Sequence, residues 1–400
     1  MIFTYRAKDM QGSEHKGEIE SGDIRSALLV LRKKGLVIIS LDPKTAAQGN
    51  FADRFLHKVG FNEVVAFTRQ LATMVGAGLV LSESMDILSE QQENKNFKKA
   101  LEEVSHDIKG GLTLAAALAR HGNIFPPVYI NLVKSGEASG KLDQVLVRMA
   151  DSLEKDREFR AKVRGAMIYP VVVITMMFMV IVLMMVFVIP RLTSLYNEST
   201  LELPLPTKIL IATSNVFVYY WWLMIIVAVV AVVALRRWIK TPEGRLGFDR
   251  FLLKIPIIGK IITNVTLTNF NRTFGLLVSA GVPLLEAIRI VEDVIDNSVF
   301  KAALKQSYYG VERGLSFSAQ LTNLPIFPRI ISQMIKVGEE TGKLDEIFVK
   351  LSEYFESESD HLIKNLTVAI EPIVLVVLGI GVGFLVLSII LPIYKLTTSF

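Results

Sequence analysis

The sequence predicts an all-α integral membrane protein. It has two repeated cytoplasmic six-helix bundles, three transmembrane helices and a small α/β unit at the N-terminus. Three features of the 400-residue chain point there. Residues 168–190 and 216–235 carry no charge, and residues 369–393 carry one, Glu371; each run matches the roughly 20 apolar residues that span hydrocarbon. The soluble part repeats at long range. Phe67-Thr68-Arg69-Gln70-Leu71 returns as Phe270-Asn271-Arg272-Thr273-Phe274, an offset of 203 (270 − 67). The first 41 residues instead alternate with a strand period.

Composition narrows the class further. Half the chain is apolar (51 %) and mean hydropathy is +0.42. There is no cysteine, which excludes disulfides, thiolate catalysis and Cys-based metal sites. The net charge is +5, but the cations cluster beside the apolar runs, where anionic lipid explains them. No basic–aromatic stripe suggests nucleic acid. The N-terminus lacks the basic region and apolar core of a signal peptide.

Residues 1–41 form the small N-terminal unit. Phe3, Tyr5 and Ala7 alternate with polar residues, Gly12 turns the chain, and Gly17 to Glu20 pair back. Ser21 or Asp23 caps a helix that ends at Lys34-Gly35, and residues 36–41 make a last strand. Residues 42–60 are a polar linker.

Residues 61–167 are the first bundle. Asn62 caps a helix over 63–75, with Val64, Phe67, Leu71 and Met74 on one face and Gly76 and Gly78 at its end. Helices over 81–91, 97–109, 114–120 and 128–134 follow. The sixth starts near Leu142 and finds no stop before Tyr169-Pro170. It runs on into the first span, 168–190, with Pro170 as a kink, about 70 Å in all at ~1.5 Å per residue. An external loop (191–215), the second span (216–235) and a cytoplasmic connector (236–263) lead to the second bundle, 264–368. The third span covers 369–393 and a short tail 394–400. Arg and Lys flank 148–167 and 236–255 densely and 191–215 sparsely. Cations favour the inside, so the N-terminus and both bundles are cytoplasmic.

Several motifs recur in the two copies. Gly136-Glu137-Ala138-Ser139-Gly140-Lys141-Leu142-Asp143 returns as Gly338-Glu339-Glu340-Thr341-Gly342-Lys343-Leu344-Asp345, an offset of 202 (338 − 136). A phosphate loop needs four residues between its glycines and Ser or Thr after the Lys; here there are three, and Leu142 or Leu344 follows. The segments predict tight turns between helices. The recurring acids Glu137 and Asp143, with Glu339 and Asp345, leave three roles open: salt bridges inside the bundle, a partner surface, or a weak cation site. Gly78 and Gly281 recur at a helix end. Arg69 and Arg272 recur on an apolar face, and Glu83 and Glu286, each 14 residues later, are their natural partners.

In the spans, Glu371 before Pro372 is either a functional intramembrane acid or a cytoplasmic-edge residue that reaches headgroups or Lys364. Gly379 and Gly383 fit close helix packing. The five histidines (His15, His57, His106, His121, His361) have no ligand spacing, and no catalytic or cofactor motif is present. The sequence predicts no enzyme, cofactor or metal.

These motifs, at fixed places relative to three spans, resemble the inner-membrane platform proteins of type II secretion systems and type IV pili. The resemblance rests on Phe-x-Arg, Gly-Ala-Gly or Ser-Ala-Gly, the doubled Gly-Glu-x-[Ser/Thr]-Gly-x-Leu-Asp turn, Tyr169-Pro170 and Glu371-Pro372, and Lys34-Gly35-Leu36. It covers essentially the whole chain. Val80 departs from the proline present at Pro283, and Gly76 from Ser279. The resemblance implies a scaffold in the bacterial inner membrane that works as a homo-oligomer. It implies as partners a hexameric cytoplasmic secretion ATPase, pilin or pseudopilin subunits and other inner-membrane assembly proteins. The residues alone also allow an oligomeric small-solute or ion transporter that uses Glu371.

Overall fold

The computed structural model describes residues 2–8, 14–20, 30–31, 37–43, 58–191 and 205–398. The chain forms two compact units, residues 1–60 with 92–99 and residues 61–91 with 100–400.

In the first unit, strands β1 (Ile2–Lys8), β2 (Glu14–Glu20) and β3 (Val37–Pro43) make an antiparallel sheet in the order β2-β1-β3. Phe3 pairs with Ile19 and Tyr5 with Gly17, and a register shift falls between Arg6 and Ala7 on the β3 side. The expected Gly12 turn and the bulk of the expected helix between β2 and β3 lie outside the described residues, as does most of the expected linker.

The second unit holds the spans and both bundles, except residues 92–99, which belong to the first. The first bundle contains α1 (Phe61–Gly76), α2 (Leu81–Glu90), α3 (Lys95–Lys109), α4 (Leu114–Ala119), α5 (Pro127–Ser139) and α6 (Leu142–Leu183). Asn62 lies inside α1 and does not cap it, a shift within the usual fraying of helix ends. Valines and phenylalanines at helical spacing supply the core: Val64, Phe67 and Leu71 are buried on α1. Phe67 and Tyr129 flank Phe125, with ring centroids 5.8 and 5.1 Å away. Burial raises the Tyr129 phenol above its usual pKa, and the hydroxyl contact with Thr68, at 3.1 Å, partly opposes this.

The second copy comprises α10 (Ile258–Ser279), α11 (Leu284–Val294), α12 (Ser298–Glu312), α13 (Phe317–Thr322), α14 (Arg329–Thr341) and α15 (Leu344–Thr398). Its core is richer in rings. Phe270, Phe274 and Phe348 pack together, with Phe274 stacked on Phe348 at 4.9 Å.

Between the copies lie α7 (Leu205–Tyr219), α8 (Trp221–Ile239) and α9 (Pro242–Lys254). The sequence places a loop over 191–215 and the second span at 216–235. The structure starts a helix at Leu205, breaks it at Tyr220 and runs the apolar helix from Trp221. Thr207, Lys208, Thr213, Ser214 and Asn215 interrupt the apolar pattern before the break, so hydropathy reads the start of this helix as loop. Helices α9 and α10 meet at a bend of 111°.

Among the described residues, three helices, Leu142–Arg191, Trp221–Ile239 and Leu344–Phe384, are long and apolar enough to cross a membrane. Two of them are continuous with the bundles, so α6 and α15 are single rods from turn to span. Pro170 sits inside α6 without ending it. Near its end α6 widens to a π turn, Met184–Val188, and the Met185 carbonyl accepts a bond from Ser214 Oγ of α7 at 2.5 Å.

Candidate docking site: the paired turns and the seam between bundles

The two repeated turns are built alike. Helix α5 ends at Ser139, and Gly140 takes a left-handed φ of 67°. The Lys141 N–H then donates to the Gly136 carbonyl at 3.0 Å and the Gly140 N–H to that of Glu137 at 3.2 Å. This is the Schellman arrangement, which satisfies the last carbonyls of a helix. In the second copy Gly342 has φ 70° and the Lys343 N–H donates to Gly338 at 3.1 Å. A side chain at Gly140 or Gly342 would be strained by the left-handed backbone. Gly136 is needed for another reason. A Cβ there would lie 3.1 Å from Leu142 Cα and 3.1 Å from Val145 Cβ, so its absence lets α5 close on α6.

Glu137 has a role distinct from the three the sequence leaves open. Its carboxylate accepts the N–H groups of Leu114 (2.5 Å) and Ala115 (3.0 Å), at the start of α4. Thr113 Oγ1 accepts from the next, Ala116, at 3.2 Å. The otherwise unpaired N–H groups of this helix start are thus satisfied, and the negative charge sits at the positive end of the helix. Glu339 repeats the cap on α13. It accepts from Phe317 N–H at 2.7 Å, from Ser318 N–H at 3.4 Å, and from the Ser318 hydroxyl. Asp143 and Asp345 lie in the first turns of α6 and α15, where the helix dipole favours an acid. Leu142 and Leu344 open those helices.

The arginines pair differently from the sequence expectation. Arg69 does not take Glu83 as its partner. Its Nε donates to Glu154 Oε1 at 2.8 Å, and its Nη2 to Glu154 Oε2 and Asp151 Oδ1 at 2.5 Å each. The fork clamps α1 to α6. The hydrogen bonds from Glu154 and then Asp151 raise the Arg69 pKa, and the same bond lowers that of Glu154. Arg272 likewise takes Glu356 of α15, at 2.5 Å, and not Glu286. Glu83 and Glu286 sit in the first turns of α2 and α11. The true partners also recur, at an offset of 202 (356 − 154). That recurrence was available in the sequence. Only the antiparallel run of α1 against α6 selects it over the nearer acid.

The seam between bundles is polar and built from the same helices. Arg272 is 8 % exposed and its Nη1 faces Asp156 of α6 at 3.8 Å. Lys155 pairs with Glu353 at 3.4 Å and Lys162 with Asp360 at 3.7 Å. Both cross-bundle steps span 198 residues (353 − 155 and 360 − 162), so α6 and α15 run parallel, four residues off the 202-residue register of the repeat. A cavity of about 510 Å³ opens along the seam, lined by Arg148, Asp151, Lys155, Arg272, Asp345 and Glu353 among others.

In the spans the repeated prolines separate: Pro170 is buried and Pro372 exposed. Glu371 is exposed on α15. Among the described residues, nothing lies within 4 Å of a Cβ placed at Gly379 or Gly383. Gly78 and Gly281 take left-handed φ of 87° and 81° just past the ends of α1 and α10.

A helical repeat with these paired turns, each bundle continuing into its span, matches a family model twice. The model for type II secretion system protein F covers residues 67–190 and 270–392. The chain belongs to the type II secretion system protein F family. The model for the N-terminal domain of that family covers residues 1–42. A type IV pilus assembly protein PilC of Thermus thermophilus is 36 % identical over 398 residues, 99 % of this chain and 98 % of its own. PilC of Pseudomonas aeruginosa is 34 % identical over 92 % of this chain and 95 % of its own. A type II secretion system protein F of Xanthomonas campestris is 30 % identical over 100 % of this chain and 99 % of its own. The Thermus and Xanthomonas relatives therefore align over essentially the whole chain.

Proposed function

We propose that this multi-pass membrane protein is an inner-membrane assembly platform, acting in type IV pilus biogenesis or type II secretion. In this role it couples a cytoplasmic secretion ATPase to the extraction and polymerisation of pilin or pseudopilin subunits. The observation that carries the proposal is the continuity of α6 and α15 from bundle to span. A displacement imposed on a bundle travels along a hydrogen-bonded rod into the bilayer, where a pilin-like subunit is held. The relatives' names, pilus assembly protein and secretion system protein, support the same role.

Cation placement supports a cytoplasmic N-terminus, cytoplasmic bundles and an external 191–215 segment. Residues 1–41 fit a small α/β unit that adds partner surface, the reason to assign the ATPase contact to it and the first bundle. The repeated turns form the scaffold that holds each bundle's shape, and no chemistry is assigned to them. Glu371, Gly379 and Gly383 face outward in the third span and suit contact with another membrane-embedded chain.

Crosslinking in intact cells, followed by purification of this chain and mass spectrometry, tests the proposal. Recovery of a hexameric ATPase with pilin-like subunits is the expected result, and the identity of those subunits separates pilus from secretion. Recovery of the chain without either would overturn it.

A further inference from the structure

Because the bundles are copies, a surface that is covered in one has a counterpart in the other. Inside the chain the contact runs head to tail. The end of α10 and the start of α11 sit on α5 and α6 of the first bundle. Ser135 Oγ donates to the Ala280 carbonyl at 2.6 Å, and Arg148 to that of Ser279 at 2.8 Å. The donors belong to one copy's α5–α6 face and the acceptors to the other copy's α10 corner. A heterologous contact of this kind leaves one unused corner and one unused groove.

The unused corner is the end of α1, where Gly76, Ala77, Leu79 and Val80 are exposed. Leu79 is 36 % exposed, whereas its counterpart Val282 in the covered corner is 8 % exposed. The unused groove is the α14–α15 face. There Val337, Lys350 and Tyr354 occupy the places of Ser135, Arg148 and Ser152, each 202 residues on (337 − 135). Val337 is 46 % and Tyr354 45 % exposed. The open groove thus carries an aliphatic and an aromatic side chain where the covered one has two serines. Solvent exposure alone would favour the opposite exchange.

We propose that the α1–α2 corner of one chain docks on the α14–α15 groove of a second copy, repeating between chains the contact made within one. Since α6 and α15 run parallel, the rotation that relates the bundles lies near their common axis. Repeating it keeps every bundle at the same end of its span, with an axial step of about 6 Å for four residues at ~1.5 Å each. This contact is independent of the pilus or secretion reading.

The natural chain lacks cysteine, so single thiols report cleanly. Two differently tagged full-length chains, Ala77→Cys and Val337→Cys, are co-expressed and treated in membranes with an oxidant or a short bismaleimide. The pair Ser135→Cys with Ala280→Cys in one chain marks the covered contact and closes within the monomer. The expected result is a mixed covalent dimer at least tenfold more abundant than the product of either single-cysteine chain with itself. Val80→Asp, on the corner but outside the bundle core, cuts its yield about tenfold. The proposal is overturned if the monomer control closes while the mixed dimer is absent. It is equally overturned if Ala77→Cys links to itself as well as to Val337→Cys, because the contact would then be symmetric.

Discussion

Replacing Glu137 tests the cap on α4 most directly. Glu137→Ala strands the N–H groups of Leu114 and Ala115, now bonded at 2.5 and 3.0 Å. An unsatisfied buried donor costs about 1–3 kcal/mol. Glu137 is only half-buried, so water reaches part of the gap and the lower end applies. Two donors then give about 2–3 kcal/mol of local destabilisation, with Thr113 still holding Ala116. Glu137→Gln keeps one acceptor oxygen but loses the charge that favours the helix start, for about 1 kcal/mol. Hydrogen exchange of the full-length protein in detergent, followed by mass spectrometry, reads this on a peptide over residues 112–120. At 1.4 kcal/mol per tenfold, the alanine variant exchanges there about 30- to 140-fold faster, the glutamine variant about fivefold. Glu339→Ala has a larger effect on residues 315–323, since Glu339 also accepts from the Ser318 hydroxyl. If Glu137→Ala stays within threefold of the parent, or if alanine and glutamine behave alike, the capping role is refuted.

Other perturbations follow from the same geometry. Arg272→Met strands the partly buried Glu356 and destabilises the second bundle by about 3–5 kcal/mol. Arg69→Met costs about 1 kcal/mol, because that pair is about one-third exposed; thermal unfolding of both variants in detergent should rank them so. Gly136→Ala pushes a Cβ against Leu142 and Val145 and costs about 1–3 kcal/mol by the same assay, whereas Gly76→Ala meets nothing within 4 Å and changes little. The Lys109 and then the Ser105 bonds hold Asp86 below the usual carboxylate range. Its contribution is therefore present above the unfolded-state pKa and fades as pH falls through the lowered folded value. Asp86→Asn should show a shallower loss of melting temperature below about pH 4 than the parent.

Much of the scaffold was legible from pattern alone. The repeat located both bundles and both turns, and the glycine spacing marked where α5 and α14 end, because a left-handed residue there is a local requirement. The apolar runs marked where helices apolar enough to cross a membrane lie. The helix that opens at Leu205 was read as loop, because Thr207, Lys208, Thr213, Ser214 and Asn215 interrupt its apolar pattern. The partners of Arg69 and Arg272 were missed for a different reason. Sequence proximity favoured Glu83 and Glu286, while Glu154 and Glu356 lie 85 and 84 residues away and meet the arginines only when the last helix packs back on the first.

By itself, then, the sequence determined the family, the doubled six-helix pattern and the turns, because periodicity, hydropathy and glycine geometry act over one helix or one span. Tertiary structure decided what the recurring charges do. Glu137 became a helix cap and Arg272 a seam residue because long-range packing sets which donor and acceptor lie within hydrogen-bond reach. It also decided which of two like surfaces is covered, and so left Leu79, Val80, Val337 and Tyr354 open to solvent.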